Sequence, residues 1–191
     1  DNNHGRHEGL LDTYRMIYVP DVVDLIAPAR ATKAADVAAL KRWFQDFVTW
    51  MTTAQQAIEE DNYKNNHGTA YHVQLIVFAQ FAGQDSLAQA YMHSFTERRL
   101  LTQIKPDGSQ PHELVRTKAF GYSCFNLTHI IDYVDLCYHA GYSVLEEDST
   151  ARQRIEAAID FLVPFLGRPL TSWPYQQIAD WDKQQQELCR I

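Results

Sequence analysis

The chain has 191 residues, 46% hydrophobic and 21% charged, a globular composition long enough for one domain with a real core. Its 17 basic and 24 acidic side chains give a formal charge of −7, which argues against nucleic acid as a partner, because gripping phosphates needs a basic patch or stripe. No apolar run approaches the roughly 18–20 residues that span a bilayer, so a soluble protein with no membrane partner is expected.

The opening Asp1-Asn2-Asn3-His4 does not look like a signal peptide, so any export signal is expected to have been removed or left out. Leu10 to Ile26 predicts a helix interrupted by Pro20. Val37, Leu40, Phe44, Phe47, Val48 and Met51 form a wide apolar stripe. With Thr32 as N-cap and Asp36 in the first turn, they predict a helix over about 33–59. Another follows Asn66, turns Tyr71, Leu75, Phe78 and Ala79 inward and stops at Gly83. A third starts at Asp85 or Ser86 and runs through Leu87, Tyr91, Phe95 and Leu100.

The stretch Lys105-Pro106-Asp107-Gly108-Ser109-Gln110-Pro111 is a turn cluster where the chain must leave the helix. Helical patterns then occupy about 113–140, 150–166 and 174–188, the last with Pro174 in its first turn. About seven helices joined by short turns, with no solenoid period, predict an all-α fold of antiparallel hairpins forming part of an (α/α) toroid.

Cys124, Cys137 and Cys189 have no metal-ligand spacing and leave one unpaired in any disulfide scheme, so they say little about compartment. Arg98, Arg99, Lys105, Arg116 and Lys118 gather local positive charge, which suits either a polyanionic ligand or a solvated helix face.

Two clusters carry candidate chemistry. Lys64-Asn65-Asn66-His67-Gly68-Thr69 stands just before a helix, where Asn and Gly are also ordinary cap and loop residues. Pro106 to Thr117, continuing through Phe120-Gly121-Tyr122-Ser123-Cys124-Phe125-Asn126-Leu127, is a turn feeding a helix with an aromatic inner face. On a continuous helix Arg116 and Tyr122 lie about 600° apart and share no face, so both reach one site only if the helix start is bent or loop-like. Tyr122, Asn126 and His129 do share a face, at i, i+4 and i+7.

In order and spacing these clusters resemble the alginate-lyase family of polysaccharide lyases, which fold as (α/α) toroids. The resemblance lies in Asn65-Asn66-His67-Gly68 with Tyr71 and Gln74, and in Pro106-Asp107-Gly108 through Gln110-Pro111, Glu113-Leu114, Arg116-Thr117, Tyr122-Ser123 and Asn126-Leu127. It extends to Asn2-Asn3-His4-Gly5-Arg6 with Asp12-Thr13, and to Trp173-Pro174-Tyr175. His67 and Tyr122, 55 residues apart, match the family's catalytic pair. Ala70 and His72 depart from the pattern, since the family often has an aromatic and an acid there, which leaves the lining of the cleft open.

The resemblance implies a secreted or periplasmic lyase acting on an acidic polysaccharide, without cofactor or metal. It implies Asn66, His67, Arg116 and Tyr122 as catalytic residues, and His4, Arg6, Tyr71, Gln74, Gln110, Asn126, Trp173 and Tyr175 as substrate-binding residues. Because family members carry further helices upstream, the 191 residues are expected to be the C-terminal part of a larger toroid, completed by a missing segment or a second polypeptide. Leu10, Leu11, Ile17 and Val22-Val23 at one end, and Phe161, Leu162 and Phe165 at the other, are the apolar residues such a completion would cover.

The chemistry implied is β-elimination in a uronate polymer: the C5 proton leaves, the C4 oxygen is expelled, and a 4,5-unsaturated sugar remains. Negative charge flows into the carboxylate next to C5, so donors there are worth roughly 3–4 kcal/mol each. Asn66 and His67 suit that task. Tyr122 serves as base and then as acid in gluco- and manno-configured uronates, with Arg116 favouring the phenolate. In guluronate, where the two groups lie on opposite faces, His67 is the better base and Tyr122 the acid.

Alternatives are a glycan-binding helical domain without catalysis, and a glycoside hydrolase, which needs opposed carboxylates that Asp12 and Glu113 do not supply by spacing. A metal site is not expected despite eight histidines, since His4 with His7, and His67 with His72, lack ligand-like acidic partners.

Overall fold

The computed structural model describes residues 6–190, and among them the regular structure is helical, with one isolated β-bridge between Lys118 and Gln177. The helices are α1 (Gly9–Asp12), α2 (Val19–Ile26), α3 (Ala34–Thr53), α4 (Gln55–Asp61), α5 (Asn66–Phe81), α6 (Asp85–Phe95), α7 (Leu101–Gln103), α8 (Pro111–Leu114), α9 (Ala119–His139), α10 (Val144–Glu147), α11 (Ser149–Leu162) and α12 (Trp181–Leu188). They divide between two compact units, Asp1–Tyr63 with Ala70–His93, and Lys64–Thr69 with Ser94–Ile191. None of the described helices is long and apolar enough to cross a membrane.

In the first unit the apolar stripe of α3 buries Phe44, Val48 and Met51. Phe44 packs against Phe78 and Phe81 of α5 at ring-centroid distances of 5.0 and 5.2 Å. The predicted helix over 33–59 breaks at Ala54, which is extended, and resumes as α4. Such a break orphans carbonyls at the end of α3. The Tyr71 hydroxyl donates to one of them, Met51 O, at 2.8 Å. Lys33 rather than Thr32 is the N-cap, and the Thr32 hydroxyl donates to Ile26 O instead.

Pro20 does not interrupt its helix, because it sits in the first turn of α2, where a missing N–H costs nothing. The chain preceding it is a 3-10 turn over Tyr14–Tyr18. α5 ends as predicted: Gly83 takes φ +75° and Gln84 N donates back to Ala79 O, a reversal that favours glycine.

In the second unit α9 buries Phe120, Cys124, Leu127, Ile130, Tyr133 and Cys137. Their repeats of three and four residues set the face on which α11 and α12 pack. Asp148 uses both carboxylate oxygens, one capping α11 through Thr150 N and Ala151 N and the other accepting from the Thr96 hydroxyl. The turn before α8 requires glycine: Gly108 has φ +81°, and a Cβ there would lie 1.8 Å from Ala157 O. The predicted last helix over 174–188 begins only at Trp181, since Pro174 lies in an extended stretch whose Gln177 bridges Lys118.

Candidate active site

Asn66, His67, Arg116 and Tyr122 all fall in the second unit. Asn65 caps α5, its side-chain oxygen accepting from His67 N at 3.1 Å. Glu113 serves another N–H of that turn, the buried one of Asn66. Its Oε1 accepts from Asn66 N at 2.6 Å and from Asn66 Nδ2 at 2.8 Å, with Oε2 at 3.1 Å from the same Nδ2. A carboxylate at a helix N-terminus is favoured by the unpaired amides and the dipole. Burial pushes the Glu113 carboxyl above its ordinary range, opposed by the bonds from Asn66 and then by the charges of Arg116 and His67.

Arg116 and Tyr122 meet because the helix predicted over 113–140 is broken. α8 ends at Leu114 and α9 starts at Ala119, so the intervening residues turn the Arg116 guanidinium onto the Tyr122 ring, with Cζ 4.0 Å from its centroid. The first turn of α9 is anchored from far along the chain. Ala119 N donates to Gln176 O at 2.9 Å, and Phe120 N and Gly121 N both donate to Gln177 Oε1. Lys118 and Asp180 form an ion pair beside this anchor.

Behind these residues lies a buried amide network. Gln103 Oε1 accepts from the Thr69 hydroxyl and from Asn126 Nδ2, each at 2.9 Å. Asn126 Nδ2 also donates to Gln110 Oε1, and Gln110 Nε2 donates to Ser123 O. The turn that carries His67 and the helix that carries Tyr122 are thereby tied through shared amides. His129, on the same face of α9 as Tyr122, is buried, which lowers its basicity; Asp132 opposes this and the charge of His67 adds to it.

The whole arrangement offers an amide and an imidazole at a helix start, a cation and a phenol at a second helix start, and no second carboxylate opposed to Glu113 among these residues. The family model for alginate lyase matches residues 1–172. The chain belongs to the alginate lyase family. A crystal structure of an alginate lyase from Bacteroides ovatus superposes with a TM-score of 0.92 at 41% identity, covering 97% of this chain and 49% of that one. The chain thus spans about half the length of that solved alginate lyase. No curated protein matches it. The fold class is the all-α, (α/α)-toroid type expected.

Several residues expected to line an alginate-lyase cleft are buried among the described residues. Gln110 and Asn126 are buried, and their amides hold the frame described above. Tyr71 and Gln74 are in the core of the first unit, Tyr71 on Met51 O and Gln74 on Thr13, Leu10 and Ala70. Trp173 is 5% exposed and packs edge-on against Phe120, Phe161 and Phe165. These side chains are covered within the described residues, as the catalytic candidate Asn66, at 0% exposure, also is. Tyr175, at 39%, and Arg6 remain exposed, whereas His4 lies outside the described residues.

Sequence reasoning missed the contact between Glu113 and Asn66, weighing Glu113 as part of the motif and as a hydrolase acid. Its place beside the Arg116 motif was the available signal. For Gln103 and Gln177 there was none, because a glutamine announces nothing about a partner 23 or 57 residues away.

Proposed function

We propose that this chain carries the catalytic residues of a polysaccharide lyase that cleaves an alginate-like polyuronate, mannuronan or glucuronan among them, by β-elimination. The observation that carries the proposal is the Arg116 guanidinium against the Tyr122 ring, in the same compact unit as Asn66 and His67 at the start of α5. In this reaction the Tyr122 phenolate takes the C5 proton, and the phenol so formed returns it to the departing C4 oxygen, while Arg116 packs on the ring face. Asn66 and His67 supply donors for the charge that develops on the substrate carboxylate, where interactions made only in the transition state raise kcat. The 41% identity to a solved alginate lyase supports the substrate class. A polymer substrate also fits a secreted or periplasmic protein.

Incubating the protein with defined mannuronan, guluronan and glucuronan, and following the ultraviolet absorbance of 4,5-unsaturated ends with product masses, tests this. Unsaturated product from at least one polymer is expected. Binding to a polymer with no unsaturated product would leave a glycan-binding domain instead.

A further inference from the structure

Glu113 is 1% exposed, yet its carboxylate is spent on one residue, Asn66, through the backbone N–H and the side-chain amide together. An ionised carboxylate only accepts hydrogen bonds, so it dictates that the amide nitrogen, not the oxygen, faces it. The other end of the amide shows that this orientation is imposed: Asn66 Oδ1 is buried and has no hydrogen-bond partner among the described residues. The two N–H bonds of an amide diverge too widely for both to end on one carboxylate. The contacts of Nδ2 at 2.8 and 3.1 Å therefore use one hydrogen and leave the second for another acceptor.

We propose that Glu113 is a positioning residue for the elimination, fixing the Asn66 amide so that its second N–H is presented to the substrate carboxylate. This rests on the lyase activity proposed above. Glu113 acts through Asn66 and touches no reacting atom. The bond to Asn66 N places the same turn of α5 that carries His67, so one carboxylate sets both donors.

Two substitutions separate positioning from mere support. Glu113→Gln keeps an oxygen where Oε1 stands and can still accept from Asn66 N and Nδ2, so it is expected to hold kcat within several-fold of wild type. Glu113→Met keeps the volume but accepts nothing; kcat is expected to fall about ten- to hundred-fold with a smaller change in KM, the range for a lost charge-assisted hydrogen bond. In the double variant with Asn66→Ala, the Glu113→Met effect should vanish, because the residue it positions is gone. A folded Glu113→Met protein with wild-type kcat, or one whose loss simply multiplies that of Asn66→Ala, overturns the proposal.

A second measurement needs neither turnover nor a folded Met variant. Carboxyl NMR titration of Glu113 in wild type and Asn66→Ala should show the apparent pKa moving up when the amide donor is removed, since that bond favours the charged form. No movement means that the amide is not held by Glu113, and the proposal falls. A wild-type protein that gives the titration result but no unsaturated product from any polyuronate would instead defeat the lyase reading, and the catalytic role of Glu113 with it.

Discussion

Gln74 in the first unit and Asn126 in the second are both fully buried amides, but their surroundings treat them differently. Gln74 has its oxygen paired with the Thr13 hydroxyl and its nitrogen with the carbonyls of Leu10 and Ala70. Asn126 donates twice while its oxygen has no partner among the described residues, and the same holds for Gln103 Nε2 and Asn66 Oδ1. An unpaired buried polar atom costs about 1–3 kcal/mol. The first unit uses its buried polar groups to close its own hydrogen bonds. The second tolerates open ones around Asn66 and the amide frame, where orientation of a few donors outweighs full satisfaction, a common trade at functional sites.

If that contrast is right, damage to the two units should separate into stability and activity. Phe44→Ala removes a ring buried against Phe78 and Phe81, and should lower stability by about 3–5 kcal/mol in denaturant unfolding, while the folded fraction keeps its kcat. A large kcat change in folded protein would show that the first unit does more than support. Tyr122→Phe should do the reverse. With the ring and its contact to Arg116 retained, the melting temperature should stay near wild type while turnover falls by at least about a hundred-fold, roughly 2.7 kcal/mol. Near-wild-type turnover in that variant would remove Tyr122 from the chemistry.

Gln177→Ala lies between the two classes. It deprives Phe120 N and Gly121 N of their acceptor at the start of α9, with an expected loss of about 0.5–2 kcal/mol of stability, as for a lost helix cap, and a modest fall in kcat because Tyr122 rides on that turn. Calorimetry alongside kinetics would show whether both move.

The smallest effect is one of pH. Burial raises the Glu113 carboxyl above its unfolded value, so between the two pKa values the folded state binds more protons than the unfolded one. Its contribution to stability is then most favourable in acid and declines as pH rises from about 4.5, the unfolded value, through the raised folded value. Melting curves of wild type and Glu113→Gln should converge in acid relative to their separation at neutral pH. Parallel curves would mean that Glu113 titrates normally.

The sequence by itself determined the helical class, because apolar spacings of three and four residues and a glycine such as Gly83 at a helix end are local statements about the backbone. It also placed Asn66 and His67 at a helix start, since asparagine next to an uncapped turn has one obvious use, and it allowed Arg116 and Tyr122 one site only with a bent helix start, which the break before Ala119 supplies. Only the tertiary structure decided what surrounds them. Glu113 stands 47 residues from Asn66, and Gln177 56 from Gly121, and such side chains look alike in sequence whether they face solvent, a partner or a helix end. Burial is likewise a tertiary matter: Tyr71, Gln74, Gln110, Asn126 and Trp173, like Asn66, are polar or amphipathic residues whose motif does not say how far packing covers them.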